Sequence, residues 1–364
     1  MQPDPTIRRV LIHRLGSLGD TVVALPCFHL IARAFPNAER RLLTNFPVHA
    51  KAPASAAVLG ESGLVQGYMR YTAGTRNPLE LLRLGLEIRR FAPDVLVYLF
   101  HVRTYRAVRR DRLFFRFAGV KRVVGFASEQ EMKFGFDAAS GLYEREPVRL
   151  ARLIAELGDA DVEDLANWDL VLTDRERRKA AEALGALGNA PLIVCGPGTK
   201  MPAKDWGGDK WQALLARMSA KYPGHGLALI GAPEEIAVAD NAAAQWAGLK
   251  VNLCGTLTPR ETAALLERAK IFLGPDSGPM HLAARAGVPC VIPFSAAGLA
   301  GAWFPPGRKD QIIYHRTSCA GCSLETCNVA GHPCLSTISV EEMEAAVDKA
   351  MRGEDGSREL IAIR

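Results

Sequence analysis

Short apolar runs alternate with stretches of helical period along most of the chain. Residues 7–13, 41–44, 64–71, 94–100 and 121–126 read as strands in the first part. Residues 191–195, 226–231, 250–253, 271–273 and 288–294 read as strands in the second. Runs such as 94–100 (DVLVYLF) are apolar throughout, as central strands of a parallel sheet are. Between the runs, helical periodicity predicts helices reaching residue 35, spanning 78–91, ending at 113–118 and spanning 174–187. Strand and helix in alternation predict an α/β fold with parallel sheets. The acidic stretch 158–167 (GDADVEDLAN) predicts a linker between domains at 1–165 and 166–338, with a last helix and tail at 339–364. Thr258 with Glu261, and Ser339 with Glu342, are spaced as capping boxes that open helices. The tail beyond Gly353 is expected to fray.

Two strand ends carry candidate chemistry. Residues 271–294 read as strand, tight loop, helix, strand, with the helix predicted at 279–286. Its start, Asp276-Ser277-Gly278-Pro279, presents free backbone N–H groups at the positive end of a helix, which suits a phosphate. Gly278 admits a ligand close to the backbone, and Pro279 fits the first turn, where an N–H has no partner to lose. The other strand end is Arg14-Leu15-Gly16-Ser17-Leu18-Gly19-Asp20. Its two glycines do not make the dinucleotide pattern, and Asp20 would repel a pyrophosphate, so a nicotinamide cofactor is rejected. Asp20 reads either as a helix cap or as a general base at the mouth of the sheet. Residues 196–206 lack the glycine–lysine order of a P-loop, which rejects an ATPase.

Composition narrows the picture further. A chain of 364 residues exceeds the ~250–300 that one core sustains, which favours two domains. A net charge of +6 is too small for bulk nucleic-acid binding and suits an anionic substrate or an acidic membrane surface. No apolar run reaches the ~18 residues of a membrane span, and no export signal follows Arg8-Arg9, so a cytoplasmic protein is expected. Arg103, Arg106 and Arg110, at i, i+3 and i+7, predict one basic helical face within a longer basic run to Arg122. That face is either solvated or receives an anion that arginine clamps in a two-pronged way. Four of the eight cysteines are bunched as Cys319, Cys322, Cys327 and Cys334, beside His315 and His332. Cys319, Cys322, Cys327 and His332 or Cys334 have ligand spacing for a structural zinc; disulfides and free thiols are the other readings. Cys27, Cys195, Cys254 and Cys290 sit in apolar contexts and read as small buried hydrophobes.

The wording of these stretches goes beyond their chemistry. D-S-G-P-M-H-L-A-A followed by G-V-P at 276–289, R-x-x-S-x-G-D at 14–20, and Lys204-Asp205-Trp206 before Trp211–Leu214 resemble the motifs of glycosyltransferase family 9, the ADP-heptose-dependent heptosyltransferases. The resemblance implies the GT-B fold: two Rossmann-like domains facing across a cleft, acceptor on the first and nucleotide sugar on the second, with the last helix returning to the first domain. It implies an inverting transfer of heptose from ADP-heptose to a lipopolysaccharide-core or related saccharide, with no catalytic metal and no cofactor. By it, Asp20 is the base and Lys204 touches the diphosphate, its alternative being a surface lysine. Thr199, Glu235, Asp276, Ser277, Gly278 and His281 would line the nucleotide-sugar site, Glu235 at the ribose. His281 reads equally as a buried histidine bonded to the backbone. Arg14, Arg103 and Arg106 would meet the acceptor. The implied partners are an ADP-sugar and an anionic lipid-linked saccharide, for a monomer in peripheral contact with the inner membrane and without nucleic acid. The chain departs from the family at Tyr98-Leu99-Phe100-His101, where a polar D-x-Q-G strand end is usual, and this leaves the acceptor open. Rival readings are a nucleotide-sugar epimerase on a similar fold, a nucleic-acid-binding module and a silent sugar-binding protein.

Overall fold

The computed structural model describes residues 4–45, 55–356 and 358–362, with side chains up to residue 356. The chain divides into two compact units, Met1–Val171 and Leu172–Arg364.

The first unit is built on five parallel strands: β1 (Arg9–His13), β2 (Glu39–Asn45), β3 (Gly67–Tyr71), β4 (Val95–Tyr98) and β5 (Arg122–Val124). They lie in the order β3-β2-β1-β4-β5. The order reverses between β1 and β4, and ligands of such sheets bind beyond the strand ends at that point. β1 and β4 are central because they are apolar on both faces; Val10, Leu11, Ile12 and Val95 to Tyr98 are all buried. A small hairpin, β6 (Phe136–Asp137) with β7 (Leu142–Tyr143), follows this sheet and was not foreseen.

The second unit repeats the plan with β8 (Leu192–Cys195), β9 (Gly226–Leu229), β10 (Lys250–Asn252), β11 (Ala269–Leu273), β12 (Cys290–Phe294), β13 (Gln311–Arg316) and β14 (Arg358–Ala362). Their order is β10-β9-β8-β11-β12-β13-β14, so the reversal falls between β8 and β11. Each expected strand is present within a few residues of its predicted bounds. Both capping boxes form: Thr258 Oγ1 accepts from the Glu261 N–H at 3.3 Å, and Ser339 Oγ from the Glu342 N–H at 3.1 Å.

Three boundary expectations are corrected. The acidic stretch 158–167 is part of the first unit, because Trp168 is buried there and Arg33 holds Asn167 at 2.6 Å. The last helix, Val340–Met351, lies in the second unit. Its acids hold the helix Gly208–Lys221, with Arg217 on Glu344 at 3.1 Å and Tyr222 on Asp348 at 2.6 Å. The tail does not simply fray, since β14 pairs in parallel with β13 from Ile312 to Arg316. Strand β13 was missed because Gln311, His315 and Arg316 break its apolar run. The expected single helix after Asp20 is two, Leu18–Val22 and Leu25–Ala34, with Pro26 in the first turn of the second.

Among the described residues, no helix is long and apolar enough to cross a membrane.

Candidate active site

In the first unit the loops after β1 and β4 meet at the reversal point. Gly16 has φ of 135°, and a Cβ there would lie 2.2 Å from that of Asp20, so the turn requires glycine. The turn sets Ser17 at the N-cap of the helix Leu18–Val22 and Asp20 in its first turn. Asp20 Oδ2 accepts from the Ser17 N–H at 2.7 Å and from its hydroxyl at 3.0 Å. Oδ1 is left over. It lies 3.8 Å from Arg14 Nη2 and 3.6 Å from His101 Nε2. The N-cap reading of Asp20 is corrected, since Ser17 holds that place; from the third helical position Asp20 turns one oxygen back on Ser17 and the other toward a cation and an imidazole.

Burial alone would raise the Asp20 carboxyl, but Arg14, His101 and the Ser17 hydrogen bonds outweigh it and hold it below the usual aspartate value. The His101 imidazole is lowered below its usual value of 6.5, by burial first and then by Arg14, against the pull of Asp20 and Glu146.

Arg14 was expected at the acceptor. It is fully buried, and its N–H groups are committed to the Asp20 carbonyl at 3.0 Å, the Leu99 carbonyl at 3.4 Å and Glu146 Oε1 at 3.1 Å. This is a correction: Arg14 has no surface for a ligand and acts through the Asp20 loop that it holds. Glu146 answers Arg149 as well, at 2.7 Å and 2.9 Å, and Arg149 caps the Phe100 carbonyl at 2.8 Å. One buried carboxylate thus balances two buried guanidiniums and ties together the loops that carry Asp20 and His101. Glu146→Ala is expected to destabilise the protein by about 3–5 kcal/mol, because it strands both cations. An unchanged melting temperature would show that Arg14 and Arg149 have other support.

The predicted basic stripe breaks at its start. Thr104 caps the helix Tyr105–Phe117, so Arg103 lies outside it, with its guanidinium over the Phe100 ring at 3.9 Å. Arg106 is exposed, and Arg110 is turned onto Asp111 at 2.8 Å. The three arginines do not share one helical face.

In the second unit the loops after β8, β9 and β11 converge at the corresponding reversal. Lys204, in the 3-10 turn Pro202–Lys204, holds Asp276 Oδ2 at 2.7 Å. Ser277 is the N-cap of the helix Gly278–Arg285, with Pro279 in the first turn, yet its hydroxyl makes no capping bond. That hydroxyl is buried and has no hydrogen-bond partner. A buried, unsatisfied hydroxyl costs about 1–3 kcal/mol and marks a place where a ligand atom would be welcome. His281, one turn along, is buried with its ring edge-on to Trp303 at 5.9 Å between centroids. Glu235 accepts from the Ala232 N–H at 2.7 Å and lies against Gly198, where a Cβ would come within 2.5 Å of its carboxyl carbon. Thr199 bonds Met201 through its hydroxyl and shapes the loop that leads to Lys204.

The Lys204 turn is braced from behind. Ala203 donates to the Glu325 carbonyl at 3.0 Å, and its own carbonyl accepts from Ser295 Oγ at 2.7 Å and meets His332 Nε2 at 3.2 Å. Trp206 donates to the Ile338 carbonyl at 3.1 Å. The cysteine-rich loop therefore supports the lysine turn, with His332 engaged in that contact. All eight cysteines are free thiols, and no group of three or more His, Cys, Asp or Glu converges as a metal set among the described residues.

A family model matches residues 113–331, more than half of the sequence: glycosyltransferase family 9 (heptosyltransferase). The chain belongs to this family. No curated protein matches the family 9 chain in a search by sequence. Among solved structures it resembles a family 9 glycosyl transferase from Veillonella parvula, at 16% identity and a TM-score of 0.73, over 97% of this chain and 99% of that one. It also resembles ADP-heptose lps heptosyltransferase II of E. coli, at 18% identity and a TM-score of 0.63, over 95% of this chain and 99% of that one. A third likeness is the E. coli heptosyltransferase WaaC solved with ADP, at 17% identity and a TM-score of 0.58, over 94% and 99%. These likenesses give the fold class, GT-B with two Rossmann-like units, and with the family they make this enzyme a heptosyltransferase-family glycosyltransferase.

The site residues that sequence reasoning missed are His101, noted there only as a departure from the family, and Glu146. An acid in the first turn of a helix is common for dipole reasons, so nothing in the sequence marks Glu146 as the counter-charge of two arginines.

Proposed function

We propose that this enzyme transfers heptose from ADP-heptose to a saccharide acceptor of the lipopolysaccharide-core type, with inversion and without a catalytic metal. The observation that carries the reading is the constellation of Lys204, Asp276 and the unpartnered Ser277 hydroxyl at the start of the helix Gly278–Arg285. A leaving nucleoside diphosphate needs positive partners already in place as its charge grows. Lys204, the Ser277 hydroxyl and the N–H groups at Ser277 and Gly278 supply them, which is the task a divalent cation would otherwise perform. Asp276 neutralises Lys204 until the donor arrives and then turns to sugar hydroxyls. Glu235, beside Gly198 and Gly231, holds the ribose, Thr199 lines the loop, and His281 supports the phosphate end of the helix. In the first unit, Asp20 Oδ1 takes the proton from the acceptor hydroxyl as it attacks the anomeric carbon. Attack opposite the departing diphosphate inverts that carbon. Arg103 and Arg106 meet the acceptor's anionic groups.

The donor is tested without any acceptor. Calorimetric titration with ADP, UDP and GDP sugars is expected to give tight binding for ADP-heptose alone. Preference for a UDP or GDP sugar would overturn the donor assignment.

One observation favours a second reading of the base. His101 is more exposed than Asp20, 41% against 20% of the side chain, and its Nε2 lies on the free Asp20 oxygen. A neutral His101 could take the acceptor proton, with Asp20 stabilising the imidazolium. The pH dependence of kcat/KM separates the two. A base with a depressed carboxyl pKa stays ionised until the pH falls below the ordinary aspartate value of 3.8, so activity is expected to hold steady across mildly acidic pH. An imidazole base would lose activity as the pH falls through its own depressed value, which lies below 6.5. We expect the first profile. A loss within the mildly acidic range, together with a large fall in turnover for His101→Asn, would transfer the role to the histidine.

A further inference from the structure

In the second unit, strands β9, β8, β11 and β12 lie side by side in that order and run parallel. The loops that follow them therefore emerge on one edge in the same order, at steps of about 4.8 Å. Glu235 follows β9, Lys204 follows β8, and Ser277 with His281 follows β11. The fourth loop of the row, after β12, carries Trp303.

Trp303 is half-buried, and His281, on which its ring sits edge-on, lies one turn along the helix from Ser277. The indole thus flanks the start of that helix on the β12 side, away from Lys204 and Glu235. Its loop is fixed in place. Ser295 Oγ is spent on the Ala203 carbonyl at 2.7 Å, and the carbonyls of Ala296 and Ala297 accept from the N–H groups of Gly321 and Ser323, both at 2.8 Å. Phe304 is buried against Phe294 and Tyr314, so it anchors the turn in the core while Trp303 stays at the rim. From Ala296 to Ala302 the sequence is Ala-Ala-Gly-Leu-Ala-Gly-Ala, with no hydroxyl, amide or charge on any side chain. Whatever this loop recognises, its side chains do so through apolar contact.

We propose that Trp303 forms one wall of the donor-sugar subsite, with its indole packed on the C–H face of the sugar. The placement rests on the donor reading, in which Glu235 takes the ribose and Lys204 with Ser277 takes the diphosphate. A nucleotide sugar laid along the strand ends then follows the loops in order: nucleoside over β9, diphosphate over β8 and β11, sugar beside β12. The electron-rich face of an indole attracts the C–H hydrogens of a sugar ring, and its large area adds affinity without a polar partner. The sugar's hydroxyls are left to Asp276. The adenine does not reach this wall, because it hangs from the ribose at the other end of the row.

Calorimetric titration of ADP and of ADP-heptose into the parent, Trp303→Ala, Trp303→Leu and Trp303→Phe tests this. Trp303→Ala is expected to weaken ADP-heptose by about tenfold or more and to leave ADP nearly unchanged. Trp303→Leu keeps bulk against His281 but has no aromatic face, so it should match alanine; it decides the matter if the alanine variant does not fold. Trp303→Phe should recover most of the loss. A tryptophan that only supports His281 would weaken ADP and ADP-heptose together, and that result would overturn the proposal. Unchanged ADP-heptose affinity in a folded alanine or leucine variant would overturn it as well, as would a phenylalanine variant no better than leucine. If the parent prefers another nucleotide sugar, the donor reading fails alone; the same comparison, made with that sugar and its own nucleoside diphosphate, then decides the role of Trp303.

Discussion

Asp20→Ala is expected to lower turnover by about 10²–10⁴-fold while ADP affinity stays nearly unchanged. The carboxylate has two jobs in the structure, and the substitution removes both. Loss of Oδ2 frees the Ser17 N–H and hydroxyl and costs a helix cap, about 1 kcal/mol of stability. Loss of Oδ1 removes the oxygen facing Arg14 and His101. Asp20→Asn separates the two effects, because its amide oxygen can still accept from Ser17 but cannot take a proton from the acceptor. Asparagine and alanine should therefore be equally slow and differ in melting temperature. An asparagine variant with near-normal turnover would end the assignment of Asp20 as the base. Weakened ADP binding at normal turnover would end it equally, since the residue would then be serving the donor.

The second large effect is expected at Lys204. Lys204→Ala should reduce turnover by about 10²–10³-fold, the usual cost of losing one charged partner of a developing anion, and should weaken ADP binding as well. The ammonium already sits 2.7 Å from Asp276, which is buried, so its removal also leaves a buried carboxylate without its cation. Part of the loss will therefore be electrostatic repulsion of the diphosphate by Asp276. The double variant Lys204→Ala, Asp276→Asn removes that repulsion and is expected to recover some ADP affinity but little turnover. Calorimetry with ADP checks the first part and steady-state kinetics the second. ADP titration of Lys204→Ala indistinguishable from the parent would take Lys204 out of the diphosphate site.

The two units share a design that these predictions exploit. In each, the sheet reverses its order between a first and a fourth strand, and the loops leaving those strands bring opposite charges together: Asp20 with Arg14, beside the His101 imidazole, and Lys204 with Asp276. Parallel strands end on one edge, so side chains far apart in sequence meet there without specific long-range contacts. In the second unit the pair is open on one side, since Lys204 keeps 22% of its side chain exposed while it holds the buried Asp276. The charges in the first are fixed, because Arg14 is enclosed and committed to backbone carbonyls.

By itself the sequence determined most of the elements and the family, but not strand β13, the pairing of β14 or the β6–β7 hairpin. Apolar runs on both faces make strands whatever surrounds them. Thr258 with Glu261 and Ser339 with Glu342 start helices by local hydrogen bonding, and the wording around Asp20, Lys204 and Ser277 is local too. Tertiary structure decided what each charge is for. Arg14 lost its expected place at the acceptor because Glu146, more than a hundred residues away, encloses it; Arg103 left the helical stripe because Thr104 caps the helix one residue later. His101 became a neighbour of Asp20 only because β4 lies beside β1. The acids of the last helix meet Arg217, Lys221 and Tyr222 in the second unit. A residue's spacing along the chain sets its local conformation, but its electrostatic partner is chosen by which strand ends lie side by side.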